Sequence, residues 1–389
     1  MIQYFSADYV IPVTSDPIKN GIVAVEDGRI VGVYNELDAE VKSADVQVLA
    51  GVLIPGFINT HCHLELSHLL NVIPEKTGLV EFIGKVIENR GKDSSEIIDA
   101  MRKADDYMFE NGIQAVGDHA NTSISAEIKN NSKITYHTFV EIIGFNDAEA
   151  LAKIDEARDI EFYFDSNHSS ITPHAPYSCS KTLFKSFKKS VSEDNIISIH
   201  NQESEEENKL FRYKTGDFLA FYDKIGLDIE DFKAQARNSI QSYLNLLPNT
   251  NTTILVHNTF TSIKDLDFIQ RMGRKVVLCL CPKANLYIED TLPKVQLFKN
   301  HKFDIALGTD SLASNNALSI LDELKTLHQA NRELSFLETI KWATINGAKA
   351  LNLADEMGSI EVGKKPGLVL LKNMSNLKLT EEVQVQRII

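Results

Sequence analysis

Apolar residues along this chain recur with two different periods, and the change between them falls near residue 56. Before it, short β-favouring runs dominate, over 9–13, 21–25, 29–34 and 46–54. Asp27-Gly28 supplies the positive φ that a tight turn needs, so 21–25 and 29–34 are predicted to pair as a hairpin. From residue 57, apolar strands alternate with stretches whose apolar residues repeat at helical spacing. Residues 94–110 carry Ile97, Ile98, Met101, Ala104 and Met108 at that spacing and stop at Asn111-Gly112. Further helices are predicted over 148–158, 181–192 and 336–351. Strands are predicted over 113–119, 135–141, 169–177, 196–200, 253–257, 275–282 and 304–310. With the run that begins at Leu53 they number eight. Alternation of this kind implies a parallel sheet, and eight units imply a closed barrel. Glycine-punctuated strands return after residue 355 with the texture of residues 1–55. The expected architecture is α/β: a (β/α)8 TIM barrel over 56–355, inserted in a small β-sandwich domain made by 1–55 and 356–389.

Composition narrows the function classes. Hydrophobic residues are 43% and charged residues 24% of 389, the profile of a globular chain that buries a large core. A net charge of -14 argues against nucleic acid and anionic membrane as partners, because both need basic patches. Four scattered cysteines without a CxxC pair fit a reducing compartment. The N-terminus lacks a basic region followed by an apolar run, and no apolar run is long enough to span a bilayer. A cytoplasmic protein is therefore expected, and a homodimer is left open.

The polar residues then fall into a pattern. His61 and His63 are two apart at the end of an apolar run, so on a strand both point the same way. His174, His200, His257 and Asp310 also stand at or just past predicted strand ends. In such a barrel all strand ends converge on one face, where active sites lie. Five of the 11 histidines plus an aspartate gathered there point to a site rather than to packing. Imidazoles and a carboxylate suit one divalent cation, with Zn2+ the leading candidate and Fe2+ an alternative. Such an ion lowers the pKa of water from about 15.7 towards about 7. Asp310 can serve as both ligand and base. Glu203, three residues after His200, is a candidate proton shuttle, although it also opens an acidic run, 203–207, of the sort that usually forms a solvated face. His257 can orient the water or polarise the attacked carbon. His174, between two prolines, suits substrate contact.

These segments resemble a known motif set. Asn59-Thr60-His61-Cys62-His63, Thr172-Pro173-His174-Ala175-Pro176-Tyr177-Ser178, Ile199-His200-Asn201-Gln202-Glu203, Leu255-Val256-His257-Asn258-Thr259, Cys281-Pro282-Lys283-Ala284-Asn285 and 308–316 look like those of the amidohydrolase superfamily. The similarity lies with its cytosine deaminase-like, guanine deaminase-like and chlorohydrolase-like aminohydrolases and covers essentially the whole chain. It implies His61, His63, His200 and Asp310 as ligands of one metal, with Glu203 and His257 as catalytic partners and His174 on the substrate. No lysine stands where a bridging carbamate would be expected after strand four, which favours one ion. Ala284 and Gly367 depart from the pattern. His63-Leu64-Glu65-Leu66-Ser67 further resembles aminofutalosine deaminases, which act on a 6-aminopurine nucleoside, and that places Glu65 near the substrate. The expected activity is hydrolytic release of ammonia from an aminated heterocycle, an aminopurine nucleoside or base, with 66–90 and 205–221 as specificity loops. The alternatives are hydrolysis of another C–N or C–Cl bond and, remotely, a non-catalytic scaffold.

Overall fold

The chain is seen here in a computed structural model that describes residues 1–35, 45–91 and 94–389. The first strands are β1 (Gln3–Val10), β2 (Ile18–Lys19), β3 (Ile22–Glu26), β4 (Arg29–Tyr34) and β5 (Val46–Pro55). The predicted hairpin is present: Glu26 pairs with Arg29, and Asp27 and Gly28 both have positive φ. The first strand starts earlier than the predicted 9–13 and ends at Val10, before Val13 turns away with a φ of 78°.

Gly56 separates β5 from β6 (Phe57–Cys62), so the run expected to start the barrel at Leu53 is divided between two sheets. The strands that follow are β7 (Ile113–Ala120), β8 (Thr135–Ile142), β9 (Ser169–Pro173), β10 (Ile197–Asn201), β11 (Thr253–His257), β12 (Val276–Leu280) and β13 (Asp304–Leu307). β6 to β9 form one parallel sheet and β10 to β13 another. The two meet at both edges. At one seam the His200 amide donates to the His174 carbonyl at 3.0 Å, and the Thr172 hydroxyl donates to the Ser198 carbonyl at 2.7 Å. At the other, the amides of Thr309 and Asp310 donate to the His61 carbonyl at 3.0 and 3.1 Å. Gly308 permits that approach, since a Cβ there would lie 2.7 Å from the Cβ of His61.

β14 (Leu368–Lys372) and β15 (Gln384–Arg387) complete the fold. β14 pairs with β5, so both chain ends share one seven-stranded sheet in the order β15-β14-β5-β1-β3-β4, with β2 on β1. Gly367, which departs from the motif pattern, has a φ of 67°, and a Cβ there would meet Gln114 Oε1 at 2.5 Å. β10, β11 and β12 are buried along their whole length, as strands covered on both faces must be.

The helix Ser94–Glu110 forms as predicted, whereas the one expected over 336–351 breaks into Phe336–Trp342 and Ile345–Ala350. The expected loops 66–90 and 205–221 hold helices instead, Leu79–Asn89, Glu205–Tyr213 and Asp217–Lys224. Their apolar faces form a separate cluster that includes Leu79, Phe82, Phe211, Phe218 and Tyr222 and packs on Tyr177. The strand ends thus sit under a cap with its own small core. Among the described residues no helix is long and apolar enough to cross a membrane.

Candidate functional site

The barrel brings six of the sequence-assigned residues to one place. His61 is the penultimate residue of β6 and His63 follows the strand, and Asp310 lies beyond β13 in a parallel bridge with Cys62. Asp310 Oδ1 is 3.6 Å from His61 Nε2 and 3.7 Å from His63 Nε2. His63 Nε2 is 3.2 Å from His200 Nε2. Donors bonded to one tetrahedral ion at about 2.0–2.1 Å sit about 3.3 Å apart, so these atoms have the spacing of a ligand shell. The nitrogens of His61, His63 and His200 also lie within 4.8 Å of one another.

The chemistry of the donors fits an ion as well. Burial holds the imidazoles of His61, His63 and His200 well below their usual range, so they are neutral and carry lone pairs. The His174 carbonyl accepts from His200 Nδ1 at 2.8 Å, which puts the proton on Nδ1 and leaves Nε2 bare. His61 is fully buried, and neither ring nitrogen has a hydrogen-bond partner. Buried polar atoms seldom go unsatisfied, and a cation at Nε2 would satisfy this one. Burial opposes charge on Asp310, but His63, His257 and the Ser314 hydroxyl, which donates to Oδ2 at 2.7 Å, hold it below the usual carboxylate range.

Glu203 and His257 face each other beside this shell, with Oε1 3.4 Å from Nε2. Asn285 bonds His257 Nδ1 at 3.1 Å, and Nε2 has no protein hydrogen bond. Burial lowers the His257 pKa to about 4. Burial first, and then the facing Asp310, push Glu203 well above the usual carboxyl range. His257 and Asp310 adopt left-handed φ values of 73° and 57°, a strained backbone for non-glycine residues that recurs at functional sites.

The two ends of the acidic run are not solvated, whereas Glu205 and Glu206 between them are half-buried. Glu203 and Glu207 are buried, because the Glu207 carboxylate accepts the backbone amides of Gln202 and Glu203 at 3.0 and 3.1 Å and so anchors the turn that presents Glu203. Glu65 lies beyond the end of β6 at Cys62, in a 3-10 turn, Leu64–Leu69. Its carboxylate accepts from the amides of Asn121 and Thr122 and the hydroxyls of Thr122 and Ser125. His174 is half-buried at the mouth, with Nδ1 held by the Ser178 hydroxyl at 2.8 Å. Ala284 is buried within the helix Pro282–Glu289.

Two residues that the sequence reading passed over lie among these side chains. His119 ends on β7, its ring 4.5 Å from that of His61; Nδ1 is 2.8 Å from Glu141 Oε1 and Nε2 2.8 Å from Ser198 Oγ. Glu141, on β8, also accepts from Asn121 at 2.8 Å. Both His119 nitrogens are engaged, and the ligand atoms of His63, His119 and Glu141 also lie within 4.8 Å of one another. The strand-end rule applied to 113–119 and 135–141 would have found both.

A family model described as the Amidohydrolase family matches residues 52–387, and the chain belongs to that family. Adenosine deaminase of Helicobacter pylori is 29% identical over 375 residues, spanning 93% of this chain and 88% of that protein. Among solved structures, Helicobacter pylori aminofutalosine deaminase in complex with methylthio-coformycin superposes with a TM-score of 0.82 at 24% identity, covering 96% of this chain and 93% of that one. An adenosine deaminase from Xanthomonas campestris with bound zinc gives 0.74 at 24% identity, covering 98% and 86%. Both share the fold described above.

Proposed function

We propose that this protein is a metal-dependent hydrolytic deaminase of an aminopurine nucleoside. The observation that carries the reading is the convergence of His61, His63, His200 and Asp310 beside the buried pair Glu203 and His257. The deaminases of adenine-type nucleosides among its relatives support the substrate class. His61, His63, His200 and Asp310 would hold one ion, with zinc first, as in the Xanthomonas campestris protein. A bound divalent cation supplies a water whose pKa is lowered towards about 7.

The protein's own groups do the rest. Asp310 takes the proton of the attacking water. His257 Nε2, which makes no protein hydrogen bond, orients that water. Glu203 donates a proton to the ring nitrogen beside the amino-bearing carbon, a role that its burial favours by raising its carboxyl above the usual range. As the C–N bond breaks, the proton held by Asp310 passes to the amino nitrogen and ammonia leaves, while the hydroxyl proton on the attacked carbon returns to Glu203 and a 6-oxopurine remains. His174 contacts substrate at the mouth. Glu65, bonded by four donors from 121–125, shapes that entrance. The acidic net charge and four free, buried cysteines support a cytoplasmic enzyme acting on a small molecule.

Ammonia release by metal-loaded protein tests this against adenosine, 5′-substituted 6-aminopurine nucleosides, guanine, cytosine and pterins. Turnover of a 6-aminopurine nucleoside is expected. Silence across the set with metal bound would remove deamination of these heterocycles.

A further inference from the structure

We propose that Tyr177 is a positioning residue for Glu203: its hydroxyl holds one carboxyl oxygen so that the other carries the transferred proton. The proposal rests on the deaminase reading and adds to it the atom from which the proton leaves. Tyr177 lies in the turn Pro176–Ser178 after β9, and Oη donates to Glu203 Oε2 at 3.0 Å. The phenol is itself fixed. Its ring stacks on Phe218 of the cap helix Asp217–Lys224 with centroids 4.9 Å apart, and its carbonyl accepts from the Tyr222 hydroxyl at 2.6 Å. Glu207 fixes the backbone of Glu203 from the other side. One oxygen of Glu203 is therefore occupied, and Oε1 faces His257 Nε2 at 3.4 Å.

The need for such a donor follows from charge. The groups facing Glu203 are the carboxyls of Asp310, Glu207 and Glu289, together with His257 and Tyr177. As the O–H bond at Oε1 breaks and an N–H bond forms on the substrate ring nitrogen, the electron pair stays on Glu203. A new carboxylate then appears among three other acids. The Tyr177 O–H, already aimed at Oε2, becomes a charge-assisted hydrogen bond at that moment and stabilises the product of proton transfer more than the reactant.

A double-mutant cycle with Tyr177→Phe and Glu203→Gln tests this, with bound metal measured in each variant. Tyr177→Phe should lower kcat about ten- to a hundredfold, the value of a hydrogen bond to a charged group, with KM within about threefold. In the Glu203→Gln background the same change should alter kcat less than about twofold, because its target is gone. Phe218→Leu, which removes the stack and keeps the hydroxyl, should cost less than Tyr177→Phe. Wild-type kcat in Tyr177→Phe, an equal loss in both backgrounds, or a larger loss in Phe218→Leu would overturn the assignment and leave Tyr177 a packing residue. Wild-type ammonia release in the same assay tests the deaminase reading separately.

Discussion

Replacing Lys129 by Met should destabilise the protein far more than an ordinary surface change. Lys129 Nζ lies 2.5 Å from Asp118 Oδ2, and the two side chains are 2% and 0% exposed. At an effective dielectric constant of about 20, charges so close attract by about 7 kcal/mol. Desolvation offsets much of that, so the intact pair contributes little net stability. Removing one partner is different. Asp118 would remain buried with a charge, still accepting the Leu64 amide at 2.7 Å through Oδ1. Stranding a buried charge costs about 3–5 kcal/mol, a large part of a typical total of about 5–15. Urea unfolding of metal-free protein, followed by fluorescence of Trp342, the single tryptophan, measures the loss. In the double variant Lys129→Met/Asp118→Asn the cost should fall short of the sum of the single costs by about 1–3 kcal/mol. A loss under about 1 kcal/mol for Lys129→Met, or strict additivity, would refute the reasoning.

Asp310→Asn should abolish turnover while circular dichroism stays unchanged, and wild-type activity in that variant would exclude the water-activating role given to Asp310. Glu203→Gln should retain metal, measured by elemental analysis, yet lose kcat by about 10²–10⁴-fold; an undiminished rate would move the proton transfer to another group. His137 is buried on β8 with its pKa lowered by burial from 6.5 to about 3. The unfolded chain then binds a proton that the fold does not, so stability present above about pH 6.5 is lost as pH falls from there towards 3. Denaturant midpoints against pH should show a shallower decline over that window for His137→Asn, and identical slopes would mean that His137 is protonated in the fold.

How far the sequence reached depended on whether a residue's role was tied to its period. His61, His63, His200, His257 and Asp310 were legible because each ends an apolar run, and the barrel converts run ends into one face. His119 and Glu141 obey the same rule but were passed over, since neither belonged to a short motif. Their bonds to each other and to Ser198 link strands distant in sequence. Glu207 was hidden for the opposite reason: within an acidic run it looks solvated, and only the turn at Gln202, with a φ of 46°, shows that its carboxylate is needed by two backbone amides. The cap helices Leu79–Asn89 and Asp217–Lys224 are short, and their apolar faces find partners in segments distant in sequence, among them Ile73, Tyr177, Phe211, Tyr287 and Ile288. Glu65 was placed by the resemblance of 63–67 alone; β6 stops at Cys62, Asp118 captures the Leu64 amide, and the chain turns there before Glu65.

Turnover in ¹⁸O-enriched water bears most directly on hydrolytic deamination at the proposed metal centre. With metal-loaded enzyme and a 6-aminopurine nucleoside, mass spectrometry should find one ¹⁸O in the 6-oxopurine product for each ammonia released, and both signals should vanish on chelation and return with zinc. Ammonia formed without ¹⁸O in the product, or turnover that survives complete metal removal, would contradict attack by an activated water at the site of His61, His63, His200 and Asp310.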